Sequence, residues 1–277
     1  MTPDEYCQDK AAASGSSFYY SFRALKPKIR EGITAFYALC RELDDVVDEC
    51  SDAGVARIKL AWWRAEIGHL YAGCPEHPVT QAMLPTVRAR NIPREWLEEI
   101  VDGMEMDLDQ QRYPDYKTLQ LYCHRAAGVV GQVAAEIFGY QNRQTLKYAH
   151  ELGLAFQLTN IIRDVGEDAA RGRIYLPLEE LEQFGVTPAE LLNRQYSERF
   201  QALMQFQYQR AAQAYERALA LLPAEDRRAQ RAGLAMAAIY HALLEQIRRD
   251  GFQVLDRRIS LPPLRKLWLA WKAMTFA

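Results

Sequence analysis

The sequence predicts an all-α protein, and three observations carry that expectation. Apolar residues recur with a period near 3.6 along most of the chain, and Ala, Leu, Glu, Gln and Arg dominate those stretches. Alternating β-branched runs, the mark of strands, do not occur. Helices are therefore expected over residues 28–50, 55–72, 78–90, 93–109, 116–138, 142–168, 188–222, 225–250 and 262–275. Turn residues separate them, as in "AGCPEHP", "RYPDY" and "FGVTP". No internal repeat, low-complexity tract or long linker divides the chain, so residues 1–277 read as a single helical domain.

Composition narrows the function. Hydrophobic residues make up 49% and charged residues 25%, enough apolar material for a sizeable core. Thirty-four Lys and Arg against 36 Asp and Glu leave a net charge of −2, so no basic field calls for nucleic acid. Five cysteines without a C-x-x-C spacing suggest neither a disulfide framework nor a zinc site and suit a reducing cytoplasm. The polar start "MTPDEYCQDKAAASGSS" is unlike a signal peptide, and no run reaches the roughly 18 apolar residues of a membrane span.

The first expected helix holds "CRELDDVVDE", residues 40–49, with five carboxylates in ten positions. Projected at about 100° per residue from Ile33, the residues Phe36, Cys40, Leu43, Val47 and Cys50 form a stripe near 260–340°. Asp44 falls near 20° and Asp48 near 60°, beside Tyr37 at about 40° and Arg41 at about 80°. Asp45 borders them at about 120°, and Glu49 points to solvent at about 160°. Two carboxylates one turn apart thus adjoin the buried face, where mutual repulsion and desolvation would be relieved by a cation. Water and Arg41 are the alternative partners.

The next helix carries Glu66-x-x-His69, half of a di-iron bundle signature whose second copy is missing. Further on, "YCHRAAGVVGQVAAEIFG", residues 122–139, sets Gly128, Gly131 and Ala135 on one face. Either another helix approaches that face closely or a long apolar ligand lies along it.

"HELGLAFQLTNIIRDVGED", residues 150–168, is apolar almost all the way round and so belongs in the middle of the protein. Yet Gln157, Asn160, Asp164 and Asp168 fall within an arc of about 80°, one polar ridge along a buried rod. Buried polar groups need partners. Carboxylates and amides one turn apart are what Mg²⁺ uses while leaving sites for substrate phosphates; a hydrogen-bond network between two helices is the other reading.

The order of "SGSSFYYSFRAL", "AFYALCRELDDVVDE", "YCHRAAGVVG" and "AFQLTNIIRDVGEDAARGRIYLP" resembles the squalene and phytoene synthase family of head-to-head prenyl transferases over nearly the whole chain. Within that family the pattern is most similar to the bacterial members that form presqualene diphosphate in squalene or hopanoid biosynthesis. The resemblance implies an isoprenoid synthase fold, helices around a deep central cavity with two metal-binding walls facing each other. Asp44 and Asp48, with Asp45 assisting, would form the first wall, and Asn160, Asp164 and Asp168 the second, holding Mg²⁺. Phe18 and Tyr37 would border the reacting carbons, Arg41 would hold diphosphate, and Gln157 would sit beside the second wall. Arg163, Arg173 and Tyr175 would close on the phosphates, although the projection turns Arg163 about 100° away from Asp164.

The implied reaction joins two farnesyl diphosphates. Tyr37, Asp44, Asp48 and Asp164 would serve catalysis, with Tyr37 or released diphosphate receiving the proton. Arg125 stands where complete squalene synthases are expected to carry Tyr, and neither a G-x-G-x-x-G fingerprint nor a C-terminal anchor is present. The reaction is therefore expected to stop at presqualene diphosphate without NADPH. Geranylgeranyl diphosphate with phytoene as product, completion to squalene, and a non-catalytic helical scaffold are the alternatives. Residues 225–277 hold ten Lys or Arg against five Asp or Glu. Trp268 and Trp271, with their flanking cations, suit either peripheral contact with an anionic membrane or docking of a terminal helix on the body. Arg257 and Arg258 are candidates for the cavity mouth, and Tyr240 for its lining.

Overall fold

A computed structural model of the chain describes residues 1–14, 21–22, 25–50 and 52–276. Local signals explain where its helices begin. α1, Pro3–Ala13, starts on a capping box in which Thr2 Oγ1 accepts from the Glu5 amide and Glu5 accepts from Thr2 N. The periodicity expected no helix there. α2, Pro27–Glu49, opens with proline in its first turn; α3, Ala53–Ala72, is capped by Asp52 and stopped by left-handed Gly73. α4, Pro78–Arg90, and α5, Arg94–Asp109, follow.

The single helix expected over 116–138 is interrupted. α6, Tyr116–Cys123, passes through a π-helical turn, His124–Gly128, into α7, Val129–Phe138. The reason lies in α8, Gln144–Ala170, the long central helix that packs against it. A Cβ on Gly131 would lie 2.2 Å from the Ala149 carbonyl oxygen, and one on Gly153 would lie 2.2 Å from that of Ala127. Backbone against backbone is thus the answer to the bare glycine face, although Gly131 also borders the cavity described below.

Short α9, Leu178–Gln183, was not expected. The helix expected over 188–222 divides into α10, Pro188–Leu192, and α11, Glu198–Leu221, because Arg194 turns left-handed and Ser197 caps a new start. Likewise the segment 225–250 opens as a 3₁₀ turn, Ala224–Asp226, before α12, Arg231–Arg249. α13, Pro263–Phe276, lies against α12. Among the described residues there is no strand, only one isolated bridge between Arg112 and Ile174, and no helix long and apolar enough to cross a membrane.

Two hydrophobic clusters result. One gathers α2, α3, α4 and α5 around Phe36, Leu39, Leu60 and Ile67; the other gathers α8, α11 and α12 around Phe200, Leu203, Tyr215 and Leu244. α7 contributes to both, and a cavity opens between them.

Candidate active site

The cavity has a volume of about 800 Å³, toward the upper end of ligand pockets. Eleven of the thirteen site residues expected from sequence line it: Tyr37, Arg41, Asp44, Asp48, Gln157, Asn160, Arg163, Asp164, Asp168, Arg173 and Tyr175. Asp45 does not; Lys10 Nζ at 2.8 Å and Arg41 Nη2 at 2.6 Å hold it outside the lining. Phe18 lies outside the described residues.

Asp44 and Asp48 come from the last turns of α2, and Asn160, Asp164 and Asp168 from successive turns of α8. Arginines tie these walls. Arg41 reaches Asp44 at 3.1 Å, while Arg171 and Arg173, just past α8, reach Asp48 at 3.1 and 3.5 Å. Arg163, despite its diverging projection, curls back and grips the Asp164 carboxylate with two nitrogens. Arg258 also reaches Asp164, at 3.2 Å, so it belongs to the mouth as expected, and Tyr240 lines the cavity. Arg257 instead pairs with Asp250 at 3.8 Å and is not part of the lining.

Sequence reasoning missed Asp107. It ends an apolar row with Ile100 and Met104 on α5, accepts from Tyr175 at 2.8 Å and Tyr122 at 2.9 Å, and faces the cavity between the walls. The Tyr175 ring stacks on those of Tyr113 and Tyr122, which fixes both hydroxyls. The available signal was an acid at i+3 and i+7 from buried apolar positions.

The carboxyls disturb one another. Burial, then Asp48, Asp107 and Asp45, push Asp44 up to about 7 against the lowering effect of Arg41. Burial with Asp164 and Asp107 pushes Asp168 up to about 7, and burial pushes Asp107 up to about 6. Asn160 donates to Gln157 at 3.4 Å, yet its own Oδ1 is buried without a hydrogen-bond partner. Crowded carboxyls and an orphaned amide oxygen form an oxygen-only donor set that fits a hard divalent cation such as Mg²⁺. A different cluster, Glu66, His69 and Glu76, brings three ligand atoms within 4.8 Å of one another, but none of the three lines the cavity. Glu66 Oε1 there already accepts from the Glu76 and His77 amides and from Thr80.

Helices around a deep hollow, with two acidic walls and a set of arginines at its mouth, have the architecture of isoprenoid synthases. The comparisons agree. The squalene/phytoene synthase family model matches residues 11–265, and the chain belongs to that family. A presqualene diphosphate synthase of Rhodopseudomonas palustris is 37% identical over 266 residues, covering 93% of this chain and 92% of that one. A phytoene synthase of Arthrospira platensis is 34% identical over 279 residues, 95% and 89% of the two chains. The crystal structure of a dehydrosqualene synthase in complex with a ligand superposes with a TM-score of 0.87 at 27% identity, covering 99% of this chain and 96% of that chain. The protein is accordingly an isoprenoid enzyme of the prenyltransferase type.

Proposed function

We propose that the chain condenses two farnesyl diphosphates head to head into presqualene diphosphate, releasing one diphosphate and one proton, in squalene or hopanoid synthesis. The observation that carries this reading is the pairing of the Asp44–Asp48 wall with the Asn160–Asp164–Asp168 wall across one largely apolar cavity. These five residues would hold Mg²⁺, and bound Mg²⁺ neutralises the charge that gathers on the departing diphosphate.

The chain's own residues do the rest. Arg173 and Arg41 take phosphate oxygens, and Arg163 and Arg258 orient Asp164 and the second diphosphate. Phe22, Phe36 and Met104 line the hollow and exclude water, so the allylic cation left by ionisation survives until the double bond of the second substrate attacks it. Loss of a proton from the former C1 then closes the cyclopropane. Tyr37 lines the cavity and donates its hydroxyl hydrogen to Ser14 Oγ at 3.0 Å; the released diphosphate, a stronger base than a phenol hydroxyl, takes the proton.

The stopping point rests on Arg125. Its guanidinium reaches Glu99 at 2.9 Å and Asp102 at 3.6 Å, and it is absent from the cavity lining, which holds its neighbours Ala126 and Ala127. The position thus offers no hydroxyl to carry the intermediate onward. A second reading, phytoene from two geranylgeranyl diphosphates, is favoured by the 34% identical phytoene synthase. Incubating the purified protein with Mg²⁺ and each diphosphate, without NADPH, separates the two. Presqualene diphosphate from the C15 substrate supports the first reading, and turnover of the C20 substrate alone defeats it.

Contact with an anionic membrane surface completes the proposal. Leu264, Leu267, Trp268 and Trp271 are exposed and fall within an arc of about 100° on α13. Residues 257–275 carry five Arg or Lys and no Asp or Glu, and Arg258 and Lys266 also border the cavity. The opposite face of α13, through Leu269 and Ala270, packs on the body, so docking and outward exposure coexist.

A further inference from the structure

α8 borders the cavity along most of its length, from Asp168 at the mouth through Asn160, Phe156 and Leu152 to Tyr148. The Tyr148 end is closed. Tyr148 is 1% exposed, and its Oη is buried without a hydrogen-bond partner. Buried hydroxyls are nearly always paired, so one left unpaired at a cavity wall calls for an explanation.

Gly233 of α12 stands opposite. A Cβ there would lie 3.0 Å from Tyr148 Oη, so the bare glycine leaves just the room that the phenol tip occupies. Gln230, one turn earlier, seals the same end by donating to the Gly139 carbonyl at 3.0 Å. The ring and its hydroxyl therefore fill the last part of the channel.

Length gives this plug a meaning. Twelve residues separate Asn160 from Tyr148, about 18 Å at 1.5 Å per helical residue. An extended chain advances about 1.2 Å per bond, so each five-carbon unit with its four chain bonds spans about 5 Å, three units about 15 Å and four about 20 Å. With the first carbon held level with Asn160, three units end just short of Tyr148 and a fourth collides with it.

We infer that Tyr148, with Gly233 vacating the space around its hydroxyl, is the chain-length stop of this cavity and limits the tail in that channel to three isoprene units. The inference rests on the farnesyl reading for its absolute length, but the stop itself is measured separately.

The test compares kcat/KM of the wild type, Tyr148→Ala and Tyr148→Leu for the C15, C20 and C25 allylic diphosphates under Mg²⁺, with thermal unfolding confirming that each variant is folded. The smaller Leu change stands in if the Ala variant does not fold. The expected result is that the longest accepted tail grows by one five-carbon unit, with kcat/KM for that substrate rising at least tenfold and C15 turnover changing only a few-fold. A folded variant whose preference among the three substrates stays within twofold of the wild type overturns the stop. A wild type that accepts only the C20 substrate refutes the farnesyl reading, whereas a one-unit extension in the variants still identifies Tyr148 as the stop.

Discussion

Arg171 Nη1 donates to Asp48 Oδ1 at 3.1 Å, joining the end of the central helix to the first acidic wall across 123 positions of sequence. Arg173 reaches the same oxygen at 3.5 Å. Both guanidiniums line the cavity, and under the proposed function an incoming diphosphate would draw them from Asp48 and free that carboxylate for a cation. The contact thus joins the two walls, and under the proposed reaction its arginine half would change partner.

The two arginines differ in burial. Arg173 has 18% of its side chain exposed and Arg171 57%. Arg173→Ala should lower kcat by about 10²-fold, the usual scale for a preorganised charge facing a leaving group, and Arg173→Lys should recover only part because the planar fork is lost. Arg171→Ala should cost less than about tenfold, as an exposed pair does little. Steady-state kinetics of the three variants check the order.

Asp226 offers a pH-dependent test away from the site. Burial works to raise its pKa, but hydrogen bonds from Thr145 and from the Gln141 and Asn142 amides outweigh it and hold the carboxyl below its usual range. A depressed folded pKa means stability that is present above the unfolded value and lost as pH falls through the folded one. Asp226→Ala should therefore cost about 2–4 kcal/mol near pH 7, by leaving buried donors unpaired, and the gap from wild type should shrink toward acid. Denaturant midpoints across pH 3–7 measure it.

The glycine contact predicts a packing penalty. Gly153→Ala would place a methyl 2.2 Å from the Ala127 oxygen and 3.0 Å from the Gly128 Cα, backbone atoms that cannot swing aside. A loss of about 3 kcal/mol is expected from such overpacking, or roughly 6–10 °C in Tm. Calorimetry decides it.

α13 predicts surface binding. Replacing Trp268 and Trp271 by Ser should cut co-sedimentation with vesicles of phosphatidylglycerol and phosphatidylcholine at least tenfold, and salt should weaken wild-type binding through the five cations. Turnover of short-tailed substrates in detergent should remain. Equal sedimentation of both proteins would contradict the contact.

What the sequence made legible follows from where the information lies. α8 announced itself because a buried rod cannot hide Gln157, Asn160, Asp164 and Asp168 on one side, and the acidic end of α2 stood out through its wheel. Asp107 stayed hidden because its meaning comes from Tyr122, 15 positions away, and Tyr175, 68 positions away. The π-helical turn at His124–Gly128 leaves no trace in periodicity, since it shifts hydrogen-bond register to accommodate a neighbouring backbone. α1 was readable in principle from the "TPDE" capping box, a local signal that a search for long apolar periods passes over. Asp45 shows the limit of a wheel, which gave its angle but could not show Lys10 arriving from another helix.

The most direct test of the two-wall account is diphosphate release from farnesyl diphosphate under saturating Mg²⁺, followed for the wild type, Asp44→Ala and Asp164→Ala after all three are shown to be folded. The account predicts wild-type release matched one to one by presqualene diphosphate, with both variants about 10²–10³-fold slower, the usual scale for removing a charge-stabilising group. Wild-type rates in either variant would contradict it.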